Sequence, residues 1–144
     1  MALAVGERLG YDIKATEVAF MAAKNEVLRP MGLTVAQYAA LLALRDNPGI
    51  SGAGIARACL VTPQASAATL KTLEAKGLVV REQDDWNRNS RPNRLSEEGR
   101  RLTDLADSAA GAVEQRMYDA LSSADRDALR RILGQCRAAV APDS

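Results

Sequence analysis

Histidine is absent from this 144-residue chain, aromatic residues make up only 3%, and cysteine occurs twice. Each shortage removes a class of function. Without imidazole, neither a Ser-His-Asp triad nor a Cys-His pair has its base. The cysteines, Cys59 and Cys136, stand far apart and fit neither a zinc spacing nor a disulfide framework, so no metal and no cofactor is expected. Long apolar runs are missing too. No stretch reaches the length of a membrane span, and Glu7 and Arg8 interrupt the start before a secretory signal can form. The expected location is the cytoplasm, with no membrane partner.

A large excess of either charge is also lacking, the net charge being +1. A polyanionic partner must then be met by local basic clusters, with the acids placed elsewhere. What the chain does have is alanine and leucine in abundance, the strongest helix formers, with few of the residues that strands prefer. The length suits one ordinary domain. A mainly α-helical protein is expected.

Punctuation along the chain divides it into helices. A first long helix is expected from about Val5 to Arg29, ended by Arg29-Pro30 and Gly32. Thr34 caps a second, with Val35, Tyr38, Leu41, Leu42 and Leu44 on one face and Asn47-Pro48-Gly49 as its stop. Ser51 opens a short third helix with Ile55, Ala56 and Cys59 inward, broken at Val61 and Thr62-Pro63. Thr62 as N-cap and Pro63 at the first helical position open a fourth, which runs to Lys76 and stops at Gly77. A strand at 78–80, a polar stretch from Glu82 to Asn93 and a return strand at 93–95 read as a small β-hairpin. Ser96 caps a fifth helix whose apolar repeat is Leu102, Leu105, Ala109, Val113 and Met117. A sixth begins at Ser122 and carries Leu129, Ile132, Leu133, Cys136 and Val140 on one face.

Helix, short helix, tight break, helix and hairpin make a winged helix-turn-helix. In such units the second helix of the pair enters the major groove of DNA. At about 100° per residue, Ser66, Thr69, Leu70 and Leu73 of the fourth helix fall on one side. Gln64, Ala67, Ala68 and Lys71 fall on the other. Leu70 and Leu73 belong to a core. The second face is small and polar, with no acid before Glu74. Glutamine pairs with adenine, lysine reaches guanine or phosphate, and an alanine methyl meets a thymine methyl. The hairpin adds Arg81, Arg88, Arg91 and Arg94, suited to a narrow minor groove. Taken singly, each feature also reads as a solvated helix face or a charged loop.

The segments Leu33-Thr34-x-x-Gln37, Asn47-Pro48-Gly49-Ile50-Ser51, Val61-Thr62-Pro63-Gln64, Leu73-Glu74-x-Lys76-Gly77-Leu78-Val79 and Leu95-Ser96-Glu97-Glu98-Gly99, in this order, resemble the MarR family of bacterial regulators. The resemblance spans nearly the whole chain. It implies a single domain over 1–144, with a winged-helix lobe at 33–99 and dimerisation helices at 1–32 and 100–144. It also implies a homodimer on double-stranded DNA with an inverted-repeat operator, usually a repressor, released by a small lipophilic or aromatic effector. Two departures stand out. Where the family's wing carries Asp-x-Arg, this chain has Asn87-Arg88-Asn89, so the tip falls to Arg88 or Arg91. Ser66 and Thr69 sit where the family prefers apolar residues, which predicts a looser fourth helix.

The expected DNA-facing residues are Gln64, Ala67, Ala68 and Lys71, with Arg88 and Arg91 on the wing. Ser51 and Thr62 are expected as caps and phosphate contacts. By the resemblance, an effector pocket is expected near Tyr11, Leu41 and Leu105. Cys59 reads as core, Cys136 as a dimer or helix contact, and Trp86 as a half-buried hairpin residue. The alternative is a ligand- or protein-binding adaptor of the same fold that has lost DNA binding. Enzymatic turnover is not expected, since no acid, base and nucleophile converge.

Overall fold

The computed structural model describes residues 1–81 and 92–143. In chain order these form α1 (Gly10–Leu28), α2 (Val35–Asp46), α3 (Gly52–Cys59), α4 (Pro63–Ala75), β1 (Val79–Arg81), β2 (Asn93–Leu95), α5 (Glu97–Asp119) and α6 (Ser123–Val140). Helix dominates, as the alanine- and leucine-rich composition predicts. The contacts group the chain into two units, Met1–Ala110 and Gly111–Ser144, with α5 passing through the boundary.

Side-chain caps set most of the helix starts. Thr34 Oγ1 accepts from the Gln37 amide at 3.1 Å, and Gln37 Oε1 accepts from the Thr34 amide at 3.2 Å, a reciprocal box. Ser51 Oγ accepts from Gly54 N, and Thr62 Oγ1 from Ala65 N, both at 3.1 Å. Ser122 does the same for α6, accepting from Asp125 N at 3.1 Å. The first helix departs from expectation. It starts at Gly10, after a 3₁₀ turn at Val5–Glu7 and an extended Arg8. Gly6 and Gly10 are poor helix formers, and no side chain caps an earlier start.

The end of α3 is unusual. Leu60 adopts φ 57°, the left-handed region, and the Val61 amide donates back to the Ala56 carbonyl at 3.0 Å. This is the closing turn that glycine usually makes. Here a leucine makes it, and its side chain is 92% exposed. After α4 the same turn does use glycine: Gly77 has φ +73° and Leu78 N donates to Leu73 O at 3.0 Å.

The core of the first unit gathers Leu28 from α1, Tyr38, Leu41 and Leu44 from α2, Ile55 from α3, Leu70 and Leu73 from α4, and Val79 from β1. The inward stripe of α5 differs from the expected one. Gly99, Thr103, Ala106, Ala110 and Val113 are buried, whereas Leu105 and Met117 are 49% and 41% exposed. The neighbours approach α5 too closely for large side chains. A Cβ on Gly99 would collide with the Leu78 carbonyl oxygen, and Thr103 donates to the Gly99 carbonyl at 2.6 Å. The strands pair antiparallel, Val79 with Leu95 and Arg81 with Asn93.

In the second unit, Arg126 joins the end of α5 to α6. Its guanidinium lies 3.6 Å from the Tyr118 ring centroid, and its Nε donates to Tyr118 O at 2.9 Å. No residue of α6 is buried. Its apolar stripe, with Leu129 at 42%, Ile132 at 45% and Val140 at 81%, faces outward.

Candidate nucleic-acid interface

Helix α4 is held by one face and open on the other. Leu70 and Leu73 are almost wholly buried. Ser66 is buried beside them and is not a packing defect: its hydroxyl donates to the Gly52 carbonyl at 3.1 Å. The expectation of a looser α4 is therefore corrected at this position, because a hydrogen bond to α3 replaces the apolar contact. Thr69 is half-buried. On the opposite face Gln64, Ala67, Ala68 and Lys71 are all exposed. The division read from periodicity thus matches the observed burial residue by residue.

The start of α4 is stiffened by the Thr62 cap and by Pro63 at the first helical position. Its end is tethered as well. Lys76 Nζ donates to Gly32 O at 2.8 Å and to Gln37 Oε1 at 3.3 Å, reaching back to the start of α2. An exposed, rigid helix with a small polar face and no acid before Glu74 is what a DNA groove admits. Thr62 is exposed at the mouth of α4, and Ser51 is half-buried at the start of α3.

The foot of the hairpin is organised by a residue whose sequence context marks it only as part of a strand. Asn93 is fully buried. Its Nδ2 donates to Ile50 O, and its Oδ1 accepts from Arg81 Nε, each at 3.1 Å. Arg81, one of the basic residues expected on the wing, is thus engaged at its base, while Arg94 is exposed. A buried polar side chain next to a strand end was the only available signal, and sequence alone does not reveal burial. Arg88, Arg91 and Trp86 lie outside the described residues.

A polar clasp joins α2 to α5. The Tyr38 hydroxyl donates to Asp107 Oδ1 at 2.7 Å, and Arg45 approaches Asp107 Oδ2 at 2.9 Å and Asp104 Oδ1 at 3.3 Å. The Tyr38 hydrogen bond, then Arg45, holds the Asp107 carboxyl below its usual range. The Asp107 hydrogen bond in turn pushes the Arg45 guanidinium further above its own.

The three residues expected around an effector have different surroundings. Leu41 is a fully buried core residue. Tyr11 and Leu105 are 78% and 49% exposed. Cys59 is half-buried rather than core, and burial pushes its thiol pKa up. Among the described residues no group of three or more His, Cys, Asp or Glu side chains gathers to hold a metal ion. No single described helix is long and apolar enough to cross a membrane.

Capped α3, a tight turn, an open-faced α4 and an antiparallel pair of strands define a winged helix-turn-helix protein. Comparison with known proteins narrows this class. The MarR family model matches residues 31–85. An HTH-type transcriptional repressor of Mycobacterium tuberculosis is 32% identical over 133 residues, 92% of this chain and 96% of the repressor. The crystal structure of a Mycobacterium tuberculosis MarR family protein in complex with salicylic acid is 30% identical, with a TM-score of 0.69, covering 93% of this chain and 99% of that one. The transcriptional repressor CouR bound to a 23-mer DNA duplex is 29% identical, with a TM-score of 0.80, covering 94% and 99%. The chain belongs to the MarR family of transcriptional regulators.

Proposed function

We propose that the protein is a cytoplasmic homodimeric repressor that reads an inverted-repeat operator with the open face of α4. It does not turn over a substrate. Gln64 and Lys71 contact base edges, Ala67 and Ala68 let the helix settle in the groove, and Ser51 and Thr62 approach phosphates. Arg88 and Arg91 extend the contact from the wing. The lobe at 33–99 engages DNA, and the segments 1–32 and 100–144 dimerise. A small lipophilic or aromatic effector releases the operator. The observation that carries this reading is the sorting of α4 into a locked face and an exposed, acid-free face. The similar structures bound to DNA and to salicylic acid support both halves of it.

The test is a titration of operator and scrambled DNA at several salt concentrations. Gln64→Ala is expected to cost about 1–3 kcal/mol on operator and little on scrambled DNA, as for a lost bidentate base contact. Arg88→Ala or Arg91→Ala is expected to weaken both and to reduce the salt slope by about one per phosphate lost. If Gln64→Ala and Lys71→Ala stay folded and bind operator unchanged, α4 does not read DNA with this face. Absence of any salt-dependent retention on DNA would favour the adaptor alternative.

A further inference from the structure

Helix α4 spans 13 residues, about 20 Å, and its inner side rests on Leu70 and Leu73. Apolar burial is non-directional, so the two leucines hold the helix against the core without fixing how far it rolls about its axis. Base reading demands a fixed roll. A side-chain tip roughly 5–6 Å from a helix axis moves by about 2 Å for a roll of about 20°, whereas hydrogen-bond lengths span only about 0.5 Å. Directional bonds from α4 to its neighbours must supply what the leucines do not.

Among the described residues, two side chains make such bonds. Near the start of α4, the Ser66 hydroxyl donates to Gly52 O at the start of α3, at 3.1 Å. Directly after its last turn, Lys76 Nζ donates to Gly32 O at 2.8 Å and to Gln37 Oε1 at 3.3 Å. Gly32, with φ 70°, closes the 3₁₀ turn Arg29–Met31 that follows α1. Gln37 Oε1 also accepts from the Thr34 amide at 3.2 Å, so both of its lone pairs are used. One ammonium thus ties the end of α4 to the turn after α1 and to the first turn of α2. A lysine suits this junction, being a compact charge with three rotatable donors.

In a DNA-binding lobe an exposed lysine is ordinarily a phosphate contact. This one already has two protein acceptors. It also stands at the end of α4 remote from the N-terminal residues that reach bases in such units. We propose that Lys76 is a positioning residue for sequence reading: it contacts no DNA, and with Ser66 it fixes the roll of α4 so that Gln64 and Lys71 meet base edges. The proposal rests on the reading of α4 as the DNA-contacting helix given above.

The probe is the duplex that the parent protein retains best from a random-sequence pool, with a scrambled duplex as comparison, each titrated at several salt concentrations. Lys76→Met is expected to lower the ratio of the two affinities by about tenfold, the size of one lost base contact, with the salt slope on both duplexes unchanged. Gln37→Leu should lower the ratio less, because the Gly32 carbonyl remains. It should add nothing once Lys76 is replaced, the non-additivity of two partners in one contact. Gln37→Glu keeps an acceptor for Lys76. Its added negative charge weakens both duplexes alike, and the ratio should hold.

A phosphate contact behaves otherwise. Lys76→Met would then weaken both duplexes together, keep the ratio and reduce the slope by about one, and that result overturns the proposal. So does an unchanged ratio with only a lowered urea midpoint, which makes Lys76 a stability residue alone. Gln64→Ala, measured beside these, separates two failures. If it lowers the ratio and Lys76→Met does not, the positioning role fails and the α4 reading stands. If neither lowers it, the α4 reading falls and the positioning role with it. Circular dichroism confirms that each variant is folded. Where Lys76→Met does not fold, a ratio lowered by Gln37→Leu and held by Gln37→Glu supports the proposal, and a ratio unchanged by Gln37→Leu overturns it.

Discussion

Tyr38 shows how one hydroxyl sets the behaviour of a distant acid. Its hydrogen bond is the largest influence lowering the Asp107 pKa, ahead of Arg45. A carboxylate whose folded pKa lies below its unfolded value of about 3.9 adds stability above that value. The contribution fades as pH falls through the folded pKa. Tyr38→Phe is therefore expected to lower stability at neutral pH, with the deficit shrinking as pH falls below the unfolded value of about 3.9. Urea unfolding of both proteins at pH 7 and near pH 3 checks this, and an equal deficit at the two pH values would contradict it. None of this was legible in the sequence. Tyr38 and Leu41 both read as apolar positions of one helix face, but only the fold brings Asp107 to the tyrosine hydroxyl.

At the scale of elements, the approach of α5 to the strand pair is limited by one missing atom. The Ser96 amide donates to the Leu78 carbonyl at 3.0 Å, and the Ser96 hydroxyl donates to Gly77 O at 2.6 Å while accepting from Gly99 N at 3.0 Å. Gly99 then passes so close to Leu78 that any side chain must displace backbone. Gly99→Ala is expected to cost about 1–3 kcal/mol, the range for forced overpacking, read as a lower urea midpoint with the slope unchanged. An unaltered midpoint would show that α5 yields easily. The caps at Thr34, Ser51, Thr62, Ser96 and Ser122 were legible because each bonds a backbone amide three residues on, a purely local chemistry. The α5 stripe was misread because side-chain size was taken as the sign of burial. Close packing selected glycine, threonine and alanine there instead. The turn at Leu60 was missed for a related reason, since a leucine in the left-handed region breaks the usual residue preference.

On the scale of the whole molecule, large apolar side chains remain uncovered. Leu9, Tyr11 and Ile13 at the start of the chain, Met117 and Tyr118 on α5, and Leu129 and Ile132 on α6 are all exposed. Burying each against a second copy contributes roughly 1.5–3 kcal/mol, which together is ample for a stable pair. Leu129→Asp together with Ile132→Asp is expected to yield a dissociated, folded chain at micromolar concentration, visible by sedimentation. It should bind operator far more weakly, because one half-site alone is then engaged. A double variant that remains dimeric would move the interface away from α6. The outward stripe of α6 was legible from its spacing, as was the open face of α4. Burial was less legible, because Leu41 and Leu105 read alike as apolar helix positions, whereas one lies wholly inside the core and the other is about half exposed.

Gly49 sits in the loop between α2 and α3, yet its amide donates to the Asn93 carbonyl at 3.2 Å, while the Asn93 side chain holds the Ile50 carbonyl. Loop and strand are stitched through one residue in both directions. In hydrogen-exchange terms, the Gly49 amide should not behave like a loop amide at all. It should share a single opening free energy with β2, since neither side of the seam can let go without the other. Asn93→Ala would speed exchange at both together. The foot of the wing and the entrance to α3 thus form one cooperative unit, through which a disturbance of the hairpin reaches the helix-turn-helix directly.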